Sequence, residues 1–125
     1  MMRTLDTRLF IKNRSTTLNA FLLALTIALP SGYCLFTIYT IDRYEQAFNA
    51  VRHGDSIERV IERFGTADIR ELPQFPFLRY ATKACSSPCV LRLWWEHPIL
   101  KDLEAWSVEF DTAGSLIGKS HWASP

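Results

Sequence analysis

The sequence predicts an α+β protein: a single N-terminal transmembrane helix, then a small domain in which two short helices cover one face of a three- to four-stranded antiparallel sheet. Three observations predict it. No charged residue stands between Arg14 and Asp42. Apolar residues then recur with a helical period from Tyr44 to Phe64, and beyond Leu78 the period falls to two. The 125 residues amount to one domain at most. Residues 1–17 read as a cytoplasmic basic tail, 18–41 as the span and 42–125 as a periplasmic domain.

Leu18–Ile41 reads LNAFLLALTIALPSGYCLFTIYTI. As a helix it is about 36 Å long, against a hydrocarbon core of about 30 Å. Eleven of its residues are Leu, Ile or Phe, each favourable in a span by roughly 0.3–0.6 kcal/mol. Pro30-Ser31-Gly32 is expected to kink it. Arg3, Arg8, Lys12 and Arg14 precede the span, and the mixed Asp42, Arg43, Glu45 follow it. The excess of positive charge keeps the N-terminus in the cytoplasm and puts the C-terminal domain across the inner membrane. Two rival readings concern processing: a cleaved signal with Leu18–Leu29 as its apolar core, and a lipoprotein acylated at Cys34 behind a bulky Tyr33.

Tyr44, Ala47, Phe48 and Val51 share a helix face, and this helix either continues the span or starts anew. His53-Gly54 ends it, with Gly54 suited to a left-handed position. A second helix follows, capped by Asp55, which has Glu58 three residues on, or by Ser56. Ile57, Val60, Ile61 and Phe64 form its apolar stripe, and Gly65 stops it. Glu71–Phe77 (ELPQFPF) reads as extended loop. Strands are expected over Leu78–Ala81, Val90–Glu96, Glu104–Asp111 and Leu116–Trp122, the last two joined by a hairpin loop at Thr112–Ser115. Val90, Arg92 and Trp94 fall on one face of their strand, and Leu91, Leu93 and Trp95 on the other.

Composition and motifs narrow the function. A net charge of +1 argues against a nucleic-acid binder. The 84 residues from Asp42 onward are too few for a large enzyme with a deep active site. Cys85-Ser86-Ser87-Pro88-Cys89 is read as a structural disulfide, since a redox dithiol has two residues between its cysteines at a helix start. Adding His97 gives three zinc-ligand types, but at no familiar finger spacing. His53, His97 and His121 read as loop or edge residues, and no nucleophile elbow or phosphate loop frames a serine or glycine. No cofactor, metal or catalytic residue is expected. Trp94-Trp95 must point to opposite faces, while two helices can cover only one. One of them is therefore expected on an uncovered side unless the span or another chain covers it, and beside Phe75 and Phe77 it would make a protein-binding patch.

Gly54-Asp55-Ser56-Ile57-Glu58-Arg59-Val60-Ile61-Glu62-Arg63-Phe64-Gly65 resembles the Gly-x-Thr/Ser…Val…(Leu/Phe)-Gly signature of the SmpA/OmlA, or BamE-like, domain. Val108–Leu116, with Phe110 and Gly114, resembles that family's final Phe-Asp-x-x-Gly hairpin, and Trp94-Trp95 falls where it has an aromatic-rich middle strand. The resemblance spans Tyr44 to His121; Ala67 stands where the family usually has proline. It makes Gly54, Ser56, Val60, Gly65, Phe110 and Gly114 structural residues of the motif. It implies two helices and a three-stranded antiparallel sheet in a non-enzymatic envelope module, with relatives that act as accessory subunits in outer-membrane protein assembly. The expected function is a membrane-anchored envelope scaffold contacting a protein partner, with no nucleic acid or small-molecule substrate. The alternatives are an outer-membrane assembly lipoprotein processed at Cys34 and a thiol or metal enzyme using Cys85 and Cys89.

Overall fold

The computed structural model describes residues 7–80 and 83–125, with side chains from residue 13 onward. Helix α1 spans Thr7–Ala50 without interruption, so the amphipathic segment around Tyr44 continues the apolar one. Pro30 lies inside it. Near it, Thr26 and Ser31 turn their hydroxyls back onto the carbonyls of Leu22 and Ile27, each at 2.8 Å. By length and composition α1 is able to cross a membrane, as is a signal sequence at this place in a chain. The chain divides into two compact units, one ending at Phe36 and the other running Thr37–Pro125. Cys34, a free cysteine, is exposed in the first.

The second unit contains the end of α1, helix α2 (Ile57–Phe64) and four strands: β1 (Ile69–Glu71), β2 (Leu91–Glu96), β3 (Glu104–Phe110) and β4 (Leu116–Ala123). They form one antiparallel sheet in the order β1-β2-β3-β4. The α+β class and the last three strands agree with the sequence expectation. The first strand does not. Leu78–Tyr80 is irregular, Ala81 lies outside the described residues, and the edge strand is instead β1, partly within the stretch expected to be loop. Three residues before Pro73 carry no alternation to detect. β1 is ordered by pairing with β2, Ile69 opposite Trp94 and Glu71 opposite Arg92.

Ser56 is the cap of α2. Its hydroxyl accepts the Arg59 N–H at 3.2 Å, while the Asp55 carboxylate accepts the Arg52 N–H at 2.8 Å, so Asp55 closes the preceding turn rather than forming a box with Glu58. Gly54 and Gly65 have φ of 92° and 91°, a region that L-side chains rarely enter. Replacing Ser56 by alanine orphans the Arg59 N–H and is expected to cost about 1 kcal/mol, read as a shifted urea midpoint at unchanged m-value. The α1–α2 turn is sewn to β4 by Gly54 N–H to Leu116 O and Leu116 N–H to Asp55 O, both at 2.8 Å. In the β3–β4 hairpin the Asp111 carboxylate accepts the N–H groups of Ala113 and Ser115, each at 3.0 Å.

The sheet has a core on each face. On the helix side, Leu91, Leu93, Trp95, Trp106, Val108 and Phe110 pack against Ala47, Val51, Val60 and Phe64. Trp95 stacks on Phe64 at 4.2 Å between centroids and donates its indole N–H to Gly65 O at 3.1 Å. Lys119 reaches back across this face to the Phe48 and Val51 carbonyls at the end of α1. There it satisfies groups that a helix terminus otherwise leaves open. On the far side, Tyr80, Trp94 and Ala105 form a second cluster, with Ile69, Phe77 and Trp122 against it. This far face corrects the expectation of a bare aromatic surface: both Trp94 and Trp95 are buried, because the segment after β1 folds back over the sheet and lays Phe77 and Tyr80 on Trp94.

Candidate functional site

Strand alternation places Arg92, Trp94 and Glu96 of β2 on the far face, with Glu71 of β1, Ser107 and Glu109 of β3, and Ser120 and Trp122 of β4 beside them. An arginine at an inward strand position needs a counter-charge, and the register supplies one on each side. Arg92 Nη1 donates to Glu71 Oε1 at 3.1 Å, and its Nε and Nη2 donate to Glu109 Oε1 at 2.9 and 2.6 Å. Glu71 is wholly buried. Its Oε1 also accepts the Trp94 indole N–H at 2.9 Å, and its Oε2 accepts the Cys85 N–H at 2.9 Å. Arg92 Nη1 donates further to Lys83 O at 3.1 Å. One carboxylate thus ties β1, β2 and the crossing loop together, as a charge this deep requires.

Cys85 and Cys89 are joined in a disulfide that closes a small loop on this segment, with a cis peptide bond at Ser87–Pro88. Chain-entropy arithmetic for so short a ring gives about 2 kcal/mol. Cys85→Ser/Cys89→Ser is therefore expected to lower unfolding stability by about that amount, while the helix-side core, followed by near-UV circular dichroism, stays formed.

A concavity of about 410 Å³ opens on the far face. Trp94, Ser107 and Ser120 line its floor, and Tyr80, Lys83, Arg92, Glu109, His121 and Trp122 also line it. Burial holds the Tyr80 phenol well above its ordinary pKa, reinforced by its hydrogen bond to Glu96 Oε2 at 2.6 Å. It is a neutral donor over the whole physiological range and also lies against Lys101 O. Arg79 completes this corner with ion pairs to Glu96 and Asp102, both at 3.3 Å.

The residues singled out from sequence are dispersed. Phe77 contacts Trp94 at 5.6 Å between centroids, Trp95 faces the helices, and Phe75 stands 73% exposed at a loop tip. Only Phe75 of the four offers open apolar surface, with Leu72 and Leu78 exposed on the same segment. Gly54, Ser56, Val60, Gly65, Phe110 and Gly114 occupy turns, a cap and the core. The zinc set is not assembled: both sulfurs are in the disulfide, and His97 Nδ1 accepts the Ile99 and Leu100 N–H groups at 3.2 and 3.0 Å. Glu45, Glu104 and His121 do converge, their ligand atoms within 4.8 Å of one another. There His121 Nε2 already pairs with Glu104 Oε1 at 2.6 Å, and its ring stacks on Trp106 at 5.1 Å. Sequence reasoning missed Glu71, Arg92, Ser107 and Glu109. The signal for Arg92 was its place between Val90 and Trp94 on one strand face; nothing local announced Glu71 as its partner.

The fold and this face together define a class: an α+β domain with a long apolar N-terminal helix, a short helix and a four-stranded antiparallel sheet carrying a disulfide-bearing loop. The chain matches no family model, no curated protein and no solved structure.

Proposed function

We propose that the protein is a single-pass inner-membrane protein whose α+β domain lies in the periplasm and works as a non-enzymatic scaffold or accessory subunit of the envelope. The observation that carries this reading is an apolar helix, flanked on its N-terminal side by Arg8, Lys12 and Arg14, joined to a domain whose two cysteines form a disulfide. Basic flanks are retained in the cytoplasm, and disulfides persist in oxidising compartments. The contact surface is the segment between β1 and β2, where Leu72, Phe75 and Leu78 expose apolar side chains. Exposed aromatic and aliphatic anchors of this kind are the usual centre of a protein contact. The resemblance of residues 54–65 and 108–116 to SmpA/OmlA domains extends the proposal to a role in outer-membrane protein assembly, with an envelope protein as the partner.

A reporter active only outside the cytosol, fused after Pro125, is expected to be active, and membrane fractionation is expected to hold the full-length chain. A fusion active only in the cytosol refutes the topology. Photo-crosslinking from position 72 followed by pull-down is expected to recover an envelope protein, and Phe75→Ala with Leu78→Ala to lose it. Recovery unchanged by both substitutions refutes the contact surface while leaving the anchor standing. Mass spectrometry of the mature N-terminus separates this protein from a lipoprotein processed at Cys34.

A further inference from the structure

The far-face concavity has a hydrogen-bonding inventory that its own side chains leave unspent. Ser107 is only 2% exposed and lines the floor, yet its hydroxyl has no partner among the described residues. Among the described residues only the Trp106 indole N–H is a sealed-in side-chain polar group without a partner, so the Ser107 hydroxyl opens into the concavity. Arg92 has five N–H donors, and four are engaged by Glu71, Glu109 and Lys83 O. Its fifth is left over. Glu109 accepts through Oε1 alone, and its Oε2 stands 3.2 Å from where a side chain on Gly118 would begin. The Lys83 ammonium and the Ser120 hydroxyl complete the set, neither with a partner among the described residues.

We propose that this concavity binds a neutral saccharide unit. Two cations, Lys83 and Arg92, face two carboxylates, Glu71 and Glu109, so the site exerts no net pull on an ion. Its free groups include donors (Arg92, Lys83), an acceptor (Glu109 Oε2) and hydroxyls that serve as either (Ser107, Ser120). Vicinal hydroxyls of a sugar ring, each donor and acceptor at once, match such a mixture better than an anion or an apolar ligand does. Trp122, half-buried at the wall, supplies a flat apolar surface for the C–H face of the ring. About 410 Å³ is within the usual range of small-molecule sites. The site stands independently of the membrane reading.

The test uses the full chain in an amine-oxide detergent, which carries no sugar headgroup, and titrates N,N′-diacetylchitobiose, cellobiose and maltose against tryptophan emission and calorimetry. At least one disaccharide is expected to bind saturably. Trp122→Ala and Ser107→Ala are each expected to weaken it about tenfold, the weight of one lost hydrogen bond or stacking contact. Lys83→Ala, at an exposed position, guards against a folding artefact and is expected to weaken binding with an unchanged unfolding midpoint. Absence of saturable binding by all three sugars overturns the proposal. So does binding indifferent to Trp122, Ser107 and Lys83, or tighter binding of acetate or inorganic phosphate at the same residues.

Discussion

Replacing Glu71 by alanine is expected to destabilise the domain by about 3–5 kcal/mol, the cost of stranding a buried charge. Three donors lose their acceptor at once: Arg92 Nη1, the Trp94 indole and the Cys85 N–H. Arg92 retains Glu109, which is partly exposed and sits on the other side of the guanidinium. The crossing loop loses its only side-chain tether to β1 among the described residues. Because native domains hold only about 5–15 kcal/mol in total, urea unfolding of the full chain in detergent should show most of the stability gone. Glu71→Gln keeps an oxygen acceptor and the volume but not the charge, so its loss should be clearly smaller. Equal losses for Ala and Gln would show that the negative charge, and not the acceptor oxygen or the volume, carries the whole effect. A loss under about 1 kcal/mol for the alanine variant would contradict the network altogether.

The second large effect is expected from Trp95→Ala, at about 3–5 kcal/mol. Trp95 is fully buried, stacks on Phe64, and donates to Gly65 O where α2 ends. Its removal opens a cavity between the helices and the sheet and frees the C-terminus of α2. Trp95→Phe keeps most of the apolar contact and loses the hydrogen bond, so it should cost about 1–2 kcal/mol less than alanine. By contrast, Phe75→Ala removes an exposed ring and should change stability by less than about 0.5 kcal/mol. That contrast separates residues that build the domain from one that stands exposed on the segment between β1 and β2.

Much of the helix-side architecture was legible because it is written in local spacing. Ile57, Val60, Ile61 and Phe64 announce a helix face by their separations alone, and the alternation through Leu91, Leu93 and Trp95 sets one strand face apart, though only packing decided that this is the face that meets the helices. Tyr44, Ala47, Phe48 and Val51 do the same for the end of α1. The register of the cap was not legible: Asp55 and Ser56 are both good caps, and the choice fell to Ser56 because the Asp55 carboxylate closes back onto Arg52. β1 was hidden because three residues next to a proline-rich stretch have no period of their own.

The candidate site was the least legible part. One of Trp94 and Trp95 was expected to be exposed because two helices cover one sheet face, and a proline-rich loop gave no sign that it would cover the other. The Glu71–Arg92–Glu109 row brings together residues about twenty positions apart on either side, and only strand register aligns them.

From sequence alone follow the apolar helix, the helical and strand periods and the pairing of two nearby cysteines, since each depends on neighbours along the chain. The tertiary structure decided which tryptophans are buried, where the buried charges find partners and where a concavity remains. Those outcomes depend on contacts between segments far apart in sequence, whose order in space no local pattern encodes.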